Sequence, residues 1–471
     1  MNLFNKGLTV LTKKEMDKIH LGALEILQEV GMKIDHERIL KILEGFGLKV
    51  DHHSKIVKFS GRIIEKMLEE VRAKSIQDKT NASKTLQCAM KVGGHLPFIC
   101  DMDTNAIRGA TRKDLENATI IGNALAGGGF VGPLFYPQDV PQQLADIHLY
   151  DVMLRKAANP GFASPRNKGA GKYLKEMLAV VYPGEKTGEK LFSCVFITTP
   201  LCFNRDDLEL GLEILDLGGT VHFAGHMAVA GASAPATLAG TLVLSTAEGL
   251  AGCIIHQALG IEPILGYADI TMDYKTMAPC YSGPDRMLLE LAGRELADYY
   301  GFPCGETGLS ETDAVTPGLQ AGIEKTYGAM LSLAQGLNVV IKGGAVGPGG
   351  LTGSLPQICI DEELSQIINR LIAGIKVDHD TLAVDLIKKN GIGGSFLAEE
   401  HTARHFRRET WSPLIFQRVA PDVWSQNKKD AYGEAVAKVR EILSAVQPAI
   451  LNAAQEKELD RIVAKAKADL D

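Results

Sequence analysis

The chain has 471 residues, 45% hydrophobic and 23% charged, which suits a large globular domain with an appendage. A net charge of −7 without any basic tract argues against nucleic acid or an anionic membrane as the main partner. Eight cysteines, none in a CxxC pair, argue against a zinc ribbon or a thioredoxin-like motif and fit buried thiols in a reducing cytoplasm.

The first element is a helix. Thr12-Lys13-Lys14-Glu15 has capping-box spacing, Met16, Ile19, Ala23, Ile26, Leu27 and Val30 follow at helical intervals, and Gly31 supplies a left-handed stop. The residues ahead of it lack the apolar core and small-residue cleavage site expected of a signal peptide, and no apolar run reaches a membrane span; the richest, Leu238 to Ile255, is broken by Ser245, Glu248 and glycines. A cytoplasmic protein is expected. Shorter helices near Glu37 to Gly45 and Gly61 to Ala73 frame LKVDHHSKIVKF. Residues 1–110 are expected to form an α+β appendage that ends in strand-like stretches around Leu86 to Asp103.

From residue 110, short apolar runs alternate with helical patterns: FVGPLF at 130, LFSCVFI at 191, TVHFAGHM at 220, PILGYA at 263 and LNVVIK at 337. Strands separated by helices imply βαβ units and a parallel sheet. The clearest helix starts at Gly283-Pro284-Asp285, with Leu288, Leu289, Ala292, Leu296 and Tyr299 on one face and Gly301 as its stop. No GxGxxG follows the first strand, and GGAVGPGGLTG (343–353) lacks a P-loop lysine. The pattern predicts an α/β fold, a (β/α)8 TIM-type barrel over 111–427, with a helical tail over 428–471 that packs on the barrel or at a subunit interface.

Barrel enzymes place their chemistry at the C-terminal ends of strands. That rule selects His226, Tyr267, Asp269 and Glu306 as candidate catalytic residues, and Tyr136, Asp273, Tyr274, Asp313, Gln320 and Lys342 as candidate substrate-binding residues. Acids and tyrosines in a concave mouth suit a cationic ligand. Glu248, within an apolar helix, reads as a salt-bridging group rather than a catalytic one. The glycine loop 343–353 either cradles an anion or permits close approach.

GIGGSFLAEEHTARHFRRETWSP (391–413) carries His401 and His405 four residues apart. HxxxH lacks the glutamate of HExxH, and no second cluster has zinc-type spacing, so no metal is expected. A charged helix, with Arg404 between Glu400 and Glu409, accounts for the stretch.

Four segments resemble the trimethylamine methyltransferase superfamily. They are GGSFLAEEHTARHFRRETWSP, with an Arg-x-Glu-x-Trp-x-Pro element read from Arg407-Arg408-Glu409 to Pro413; APATLAGTLVLSTAEGLAG (234–252); SETDAVTPGLQAGIEK (310–325); and GLNVVIKGGAV. PGLQ departs from the pattern, in which an acid precedes the glutamine. The resemblance implies a barrel methyltransferase that hands a substrate methyl to the cobalt of a corrinoid (cobalamin) carried by a separate protein, with no cofactor bound permanently. The family's tertiary-amine branch uses pyrrolysine. This chain has only standard amino acids and resembles the branch acting on quaternary amines such as glycine betaine, proline betaine or carnitine. For a betaine carboxylate, Arg108, Arg112, Arg286 or the amides of 343–353 are candidate donors. A homo-oligomer is expected. Two other readings stand beside this one: a barrel enzyme acting on an anionic metabolite, and a binding subunit that holds a betaine or a corrinoid protein without turnover.

Overall fold

A computed structural model describes residues 8–79, 86–125, 130–302 and 307–470. Eight strand positions, each followed by a helix, run through the middle of the chain. The strands are Cys88–Val92, 131–135, 159–163, Phe192–Phe196, Thr220–Gly225, Ile270–Asp273, Thr307–Ser310 and Asn338–Gly343. The helices are Arg112–Leu125, Ala145–Lys156, Ala170–Val181, Arg205–Asp216, Leu238–Ala258, Pro284–Tyr300, Leu319–Ala334 and Leu355–Ala373.

Pairing is parallel along most of the ring; on its far side Ile270–Asp273 pairs antiparallel with Ala278–Cys280, and among the described residues no strand pairing joins it to Thr307–Ser310. Asn338–Gly343 lies between Thr307–Ser310 and Cys88–Val92. The bridges Val92 to Val131 and Leu96 to Phe135, the 3.0 Å bond from the Val131 N–H to the Asn159 carbonyl, and the bridge Ala163 to Leu191 carry it onward. Phe192–Phe196 then pairs with Thr220–Gly225, and Val229–Ala230 with Ile270–Asp273. The last helix packs on the first, which closes the outer layer. The fold is a (β/α)8 barrel.

The first barrel strand, Cys88–Val92, lies upstream of the change in pattern at residue 110. Two three-residue strands, Phe98–Cys100 and Ile107–Gly109, form an antiparallel excursion before the first barrel helix. The strand-like stretch expected from Leu86 thus belongs to the barrel rather than to the appendage, because it pairs in parallel with Asn338–Gly343.

Ahead of the barrel, the capping box forms as its spacing dictates. The Glu15 carboxylate accepts the Thr12 N–H at 2.7 Å, the Thr12 hydroxyl accepts the Glu15 N–H at 3.4 Å, and Gly31 adopts φ +78°. The capped helix, Lys13–Glu29, packs on Leu238–Ala258. Met32–Ile34 pairs in parallel with Cys202–Phe203 and so ties the appendage to the barrel. Leu238–Ala258 is apolar and long enough to cross a membrane by length and composition, but 78% of its most apolar window is buried within the protein. Pro284–Tyr300 has its proline at the first turn and Gly301 left-handed at φ 85°. Of its expected face, Leu289, Ala292 and Leu296 are buried, whereas Leu288 is 43% exposed and Tyr300, rather than Tyr299, is buried.

Helices Ala431–Ser444 and Ala453–Leu470 return to the barrel, the first onto Leu355–Ala373 and Arg112–Leu125, the second onto Ala170–Val181 and Ala145–Lys156. Between them and the last barrel helix lies an arm, 374–427.

Candidate active site

Strand alternation sorts the mouth residues onto two faces. Along Asn338–Gly343, Val339 and Ile341 are buried against the apolar residues of the flanking helices, together with Cys88. The opposite parity, Lys342 and its register partner Lys91, therefore faces the barrel axis. Lys342 Nζ sits 3.2 Å from Glu311 Oε1. Arg286 Nη2 lies 3.6 Å from the other Glu311 oxygen and pairs closely with Glu290 one turn along its helix. Arg286 is buried, and that burial holds its guanidinium below its ordinary value. Lys91 is exposed, and among the described residues no acid pairs with its ammonium.

The glycine loop lies over this group. Gly350 has φ +55°, and a Cβ there would come within 3.0 Å of Lys342 Nζ. Close approach is what this glycine allows. On the other side stands His95, whose burial, with the Arg166 and Lys342 cations, pushes it down to about 3 and keeps the ring neutral. Its ring centroid is 6.4 Å from that of Tyr136.

The axis is not filled. Along Phe192–Phe196, Val195 is buried against Gly211 of the following helix, so Phe196 has the axial parity, and it remains 41% exposed. Phe162, next to buried Ala163, is 57% exposed. Aromatic faces in an open barrel axis form a surface for a cation or a small apolar group.

His226, Tyr267 and Asp269 come together, but on the outer face of the strands, against Leu238–Ala258. The His226 ring stands edge-on to Tyr267 with centroids 5.7 Å apart, and Tyr267 Oη is 3.0 Å from Thr246 Oγ1. Asp269 Oδ1 accepts from the Ser245 hydroxyl at 2.6 Å and the Ala228 N–H at 3.2 Å, while Oδ2 is buried with no hydrogen-bond partner. Burial pushes the Asp269 carboxyl up to about 7. This group positions the turn after Thr220–Gly225 rather than facing the axis. Glu248, expected to form a salt bridge, instead accepts from the Thr199 hydroxyl at 2.9 Å and the Leu201 N–H at 2.7 Å.

The other candidates divide by how far their polar atoms are already engaged. The Tyr136 hydroxyl accepts from Asn167 Nδ2 at 3.0 Å, and burial raises its pKa. Asp313 accepts from the Tyr281 N–H at 2.8 Å and the Ser282 N–H and hydroxyl at 2.9 and 2.7 Å, so it anchors the entry to Pro284–Tyr300. Asp273 is exposed and accepts the Lys275 N–H at 2.8 Å, and Tyr274 is 61% exposed. Gln320 is exposed and donates to Glu324 at 2.8 Å. Glu306 lies outside the described residues. Of the arginines considered for a carboxylate, Arg108 is held by Asp101 and Asp114, and Arg112 pairs with Asp151. Lys91 was not among the sequence candidates. Its signal was a lone lysine in an apolar strand, which has no meaning until the strand's inner face is known.

An open (β/α)8 barrel with charged and aromatic groups on its inner face has the form of a barrel enzyme. The chain belongs to the trimethylamine methyltransferase (MTTB) family, whose model matches residues 4–471, and it is a methyltransferase. It is 29% identical over 445 residues to the trimethylamine methyltransferase MttB of Desulfitobacterium hafniense, covering 92% of this chain and 89% of that one. It is 26% identical over 471 residues to the glycine betaine methyltransferase of another strain of that species, covering 97% and 96%. A solved structure, the monomethylamine methyltransferase MtmB of Methanosarcina barkeri, covers 99% of this chain and 89% of its own at a TM-score of 0.49 and 10% identity.

Proposed function

We propose that this methyltransferase takes a methyl group from a carboxylated quaternary amine of the glycine betaine type and delivers it to the Co(I) of a corrinoid carried by a separate protein. The observation that carries the substrate class is the Lys91–Lys342 pair. Two lysines stand side by side on the inner face, and the carboxylate that meets Lys342 among the described residues, Glu311, is shared with Arg286. A carboxylate on the substrate completes this charge set. A methylated amine without a carboxylate leaves the lysines unmatched and meets their repulsion. The aromatic faces of Phe162 and Phe196 suit the trimethylammonium end.

The chemistry asks little acid–base work of the protein. The N–CH3 bond breaks with its electron pair going to nitrogen, and Co(I) supplies the pair for the new bond to carbon. A quaternary ammonium leaves as a neutral tertiary amine, so no general acid is required. The residues of the mouth desolvate the substrate, fix its carboxylate and aim one methyl outward toward the partner. Copies of this chain are proposed to associate through the arm, where Ile375, Ile392 and Leu397 are 84%, 109% and 87% exposed.

The test is to follow the cobalt spectrum of reduced cobalamin, or of a corrinoid protein, with this protein and a panel of amines. Methylation of the cobalt with glycine betaine or a close carboxylated analogue, and none with trimethylamine or tetramethylammonium, is expected. Equal turnover of trimethylamine overturns the proposed substrate class.

A further inference from the structure

The HTARH motif has no part in the barrel site. It sits in the arm on helix Glu400–Glu409, and the structure brings a third donor group from elsewhere in the chain beside it. The His401 and His405 rings stack with centroids 4.3 Å apart at 33°. Both turn Nε2 toward one residue of the short helix His379–Leu382. His405 Nε2 is 2.9 Å from Asp380 Oδ2, and His401 Nε2 is 3.0 Å from the Asp380 carbonyl oxygen, 21 residues upstream. The candidate donor atoms of the three residues all lie within 4.8 Å of one another.

We propose that Asp380, His401 and His405 form a binding site for a divalent transition metal of the zinc type, with two imidazole nitrogens, one carboxylate oxygen and a water or the Asp380 carbonyl completing a tetrahedron. Ligands at about 2.0–2.1 Å around a tetrahedral ion lie roughly 3.3 Å apart, so from donors within 4.8 Å a side-chain movement of at most about 1.5 Å admits the metal. Two nitrogen donors select zinc, cobalt or nickel over magnesium or calcium. Arg404 Nη2, 3.3 Å from Asp380 Oδ1, holds the carboxylate by its other oxygen, an outer contact that orients the ligand. It also places a cation beside the site and weakens the affinity.

The surroundings give such a site a purpose. Neither His379–Leu382 nor Glu400–Glu409 buries a single residue, so no apolar core joins them. The expected pairing of Arg404 within its own helix is replaced by this cross-helix contact, and Glu409 meets Arg370 of the last barrel helix instead. A metal bridging the two helices adds binding free energy to the arm's fold, where packing adds little. Binding displaces the imidazole proton that otherwise joins His405 to Asp380.

The experiment uses full-length protein stripped with a chelator and titrated with Co2+, read by its visible ligand-field bands, then with Zn2+ as competitor. One Co2+ per chain, displaced by Zn2+, is expected, with those bands lost in H401A/H405A and affinity at least tenfold weaker in D380N. Zn2+ is also expected to slow proteolytic cleavage within 374–420 in the wild type and not in the double variant. The three side chains are partly exposed, so the variants should melt as the wild type does without metal. Retention of the same bands and stoichiometry in H401A/H405A, or no stoichiometric binding by the wild type, overturns the site.

Discussion

The inner and outer faces of the barrel strands carry polar groups of the same kinds and use them in opposite ways. Lys342 turns its ammonium to the axis, where Glu311 and a glycine loop meet it and Lys91 stands alongside. Behind the same strand, Lys325 is buried, with Nζ 2.6 Å from Asp361 and 3.0 Å from the Lys342 carbonyl. Asp361 also accepts the Gly344 N–H at 2.8 Å. The outer pair thus grips the backbone that presents the inner lysine. Residue type does not tell a ligand-facing charge from a structural one; parity along the strand does.

The largest effect is expected where the outer face is broken. Lys325→Met leaves Asp361 buried and uncompensated, and removal of one partner of such a pair costs about 3–5 kcal/mol. Chemical denaturation should show that loss. An unchanged midpoint would mean the pair does not hold the wall.

Asp269 on the outer face gives the next test. Its folded pKa, about 7, is raised above the ordinary 3.8, so the folded state favours the protonated form. Ionisation then costs stability, nothing below about pH 4 and progressively more up to about pH 7, with a ceiling of roughly 4 kcal/mol. Asp269→Asn keeps an oxygen to accept from Ser245 and Ala228 and removes the charge. Urea midpoints of the two proteins should diverge in favour of the variant as pH rises from 5 to 8. The neighbouring Glu248, raised by burial and in part by the Asp269 charge, is relieved of that repulsion in the variant, so its contribution adds to the difference in the same direction. A gap that does not change with pH would show that Asp269 stays ionised throughout.

The barrel was legible in the sequence because its apolar runs and helical patterns alternate from FVGPLF to LNVVIK, and strand parity is written in NVVIKG once the helix-facing residues are known. CAMKV reads as strand-like in the sequence but falls within the expected appendage, since nothing in its own pattern shows that it pairs with Asn338–Gly343 far along the chain. His226, Tyr267 and Asp269 were found as a group, but PILGYAD does not show which of its two faces the helices cover. That depends on Ser245, Thr246 and Gly249, which belong to another element. In the arm, HTARH named two donors of a cluster whose third member is distant in the chain and close in space.

The smallest of these effects bears most directly on function. Lys91→Met removes one inner charge while leaving Lys342 and the outer Lys325–Asp361 pair intact. A charge-assisted contact of this kind contributes about 1.5–3 kcal/mol, so KM for glycine betaine should rise roughly 10- to 100-fold. Choline carries the same trimethylammonium head without the carboxylate, and its binding, however weak, should not worsen with the charge gone. The melting temperature should stay where it is, because Lys91 is exposed and supports no neighbour among the described residues. Steady-state kinetics on the two ligands separate the cases. A loss for both would make Lys91 part of the general shape of the mouth. A loss for the carboxylated ligand alone would set the inner lysines apart from the buried outer ones as the groups that select the substrate.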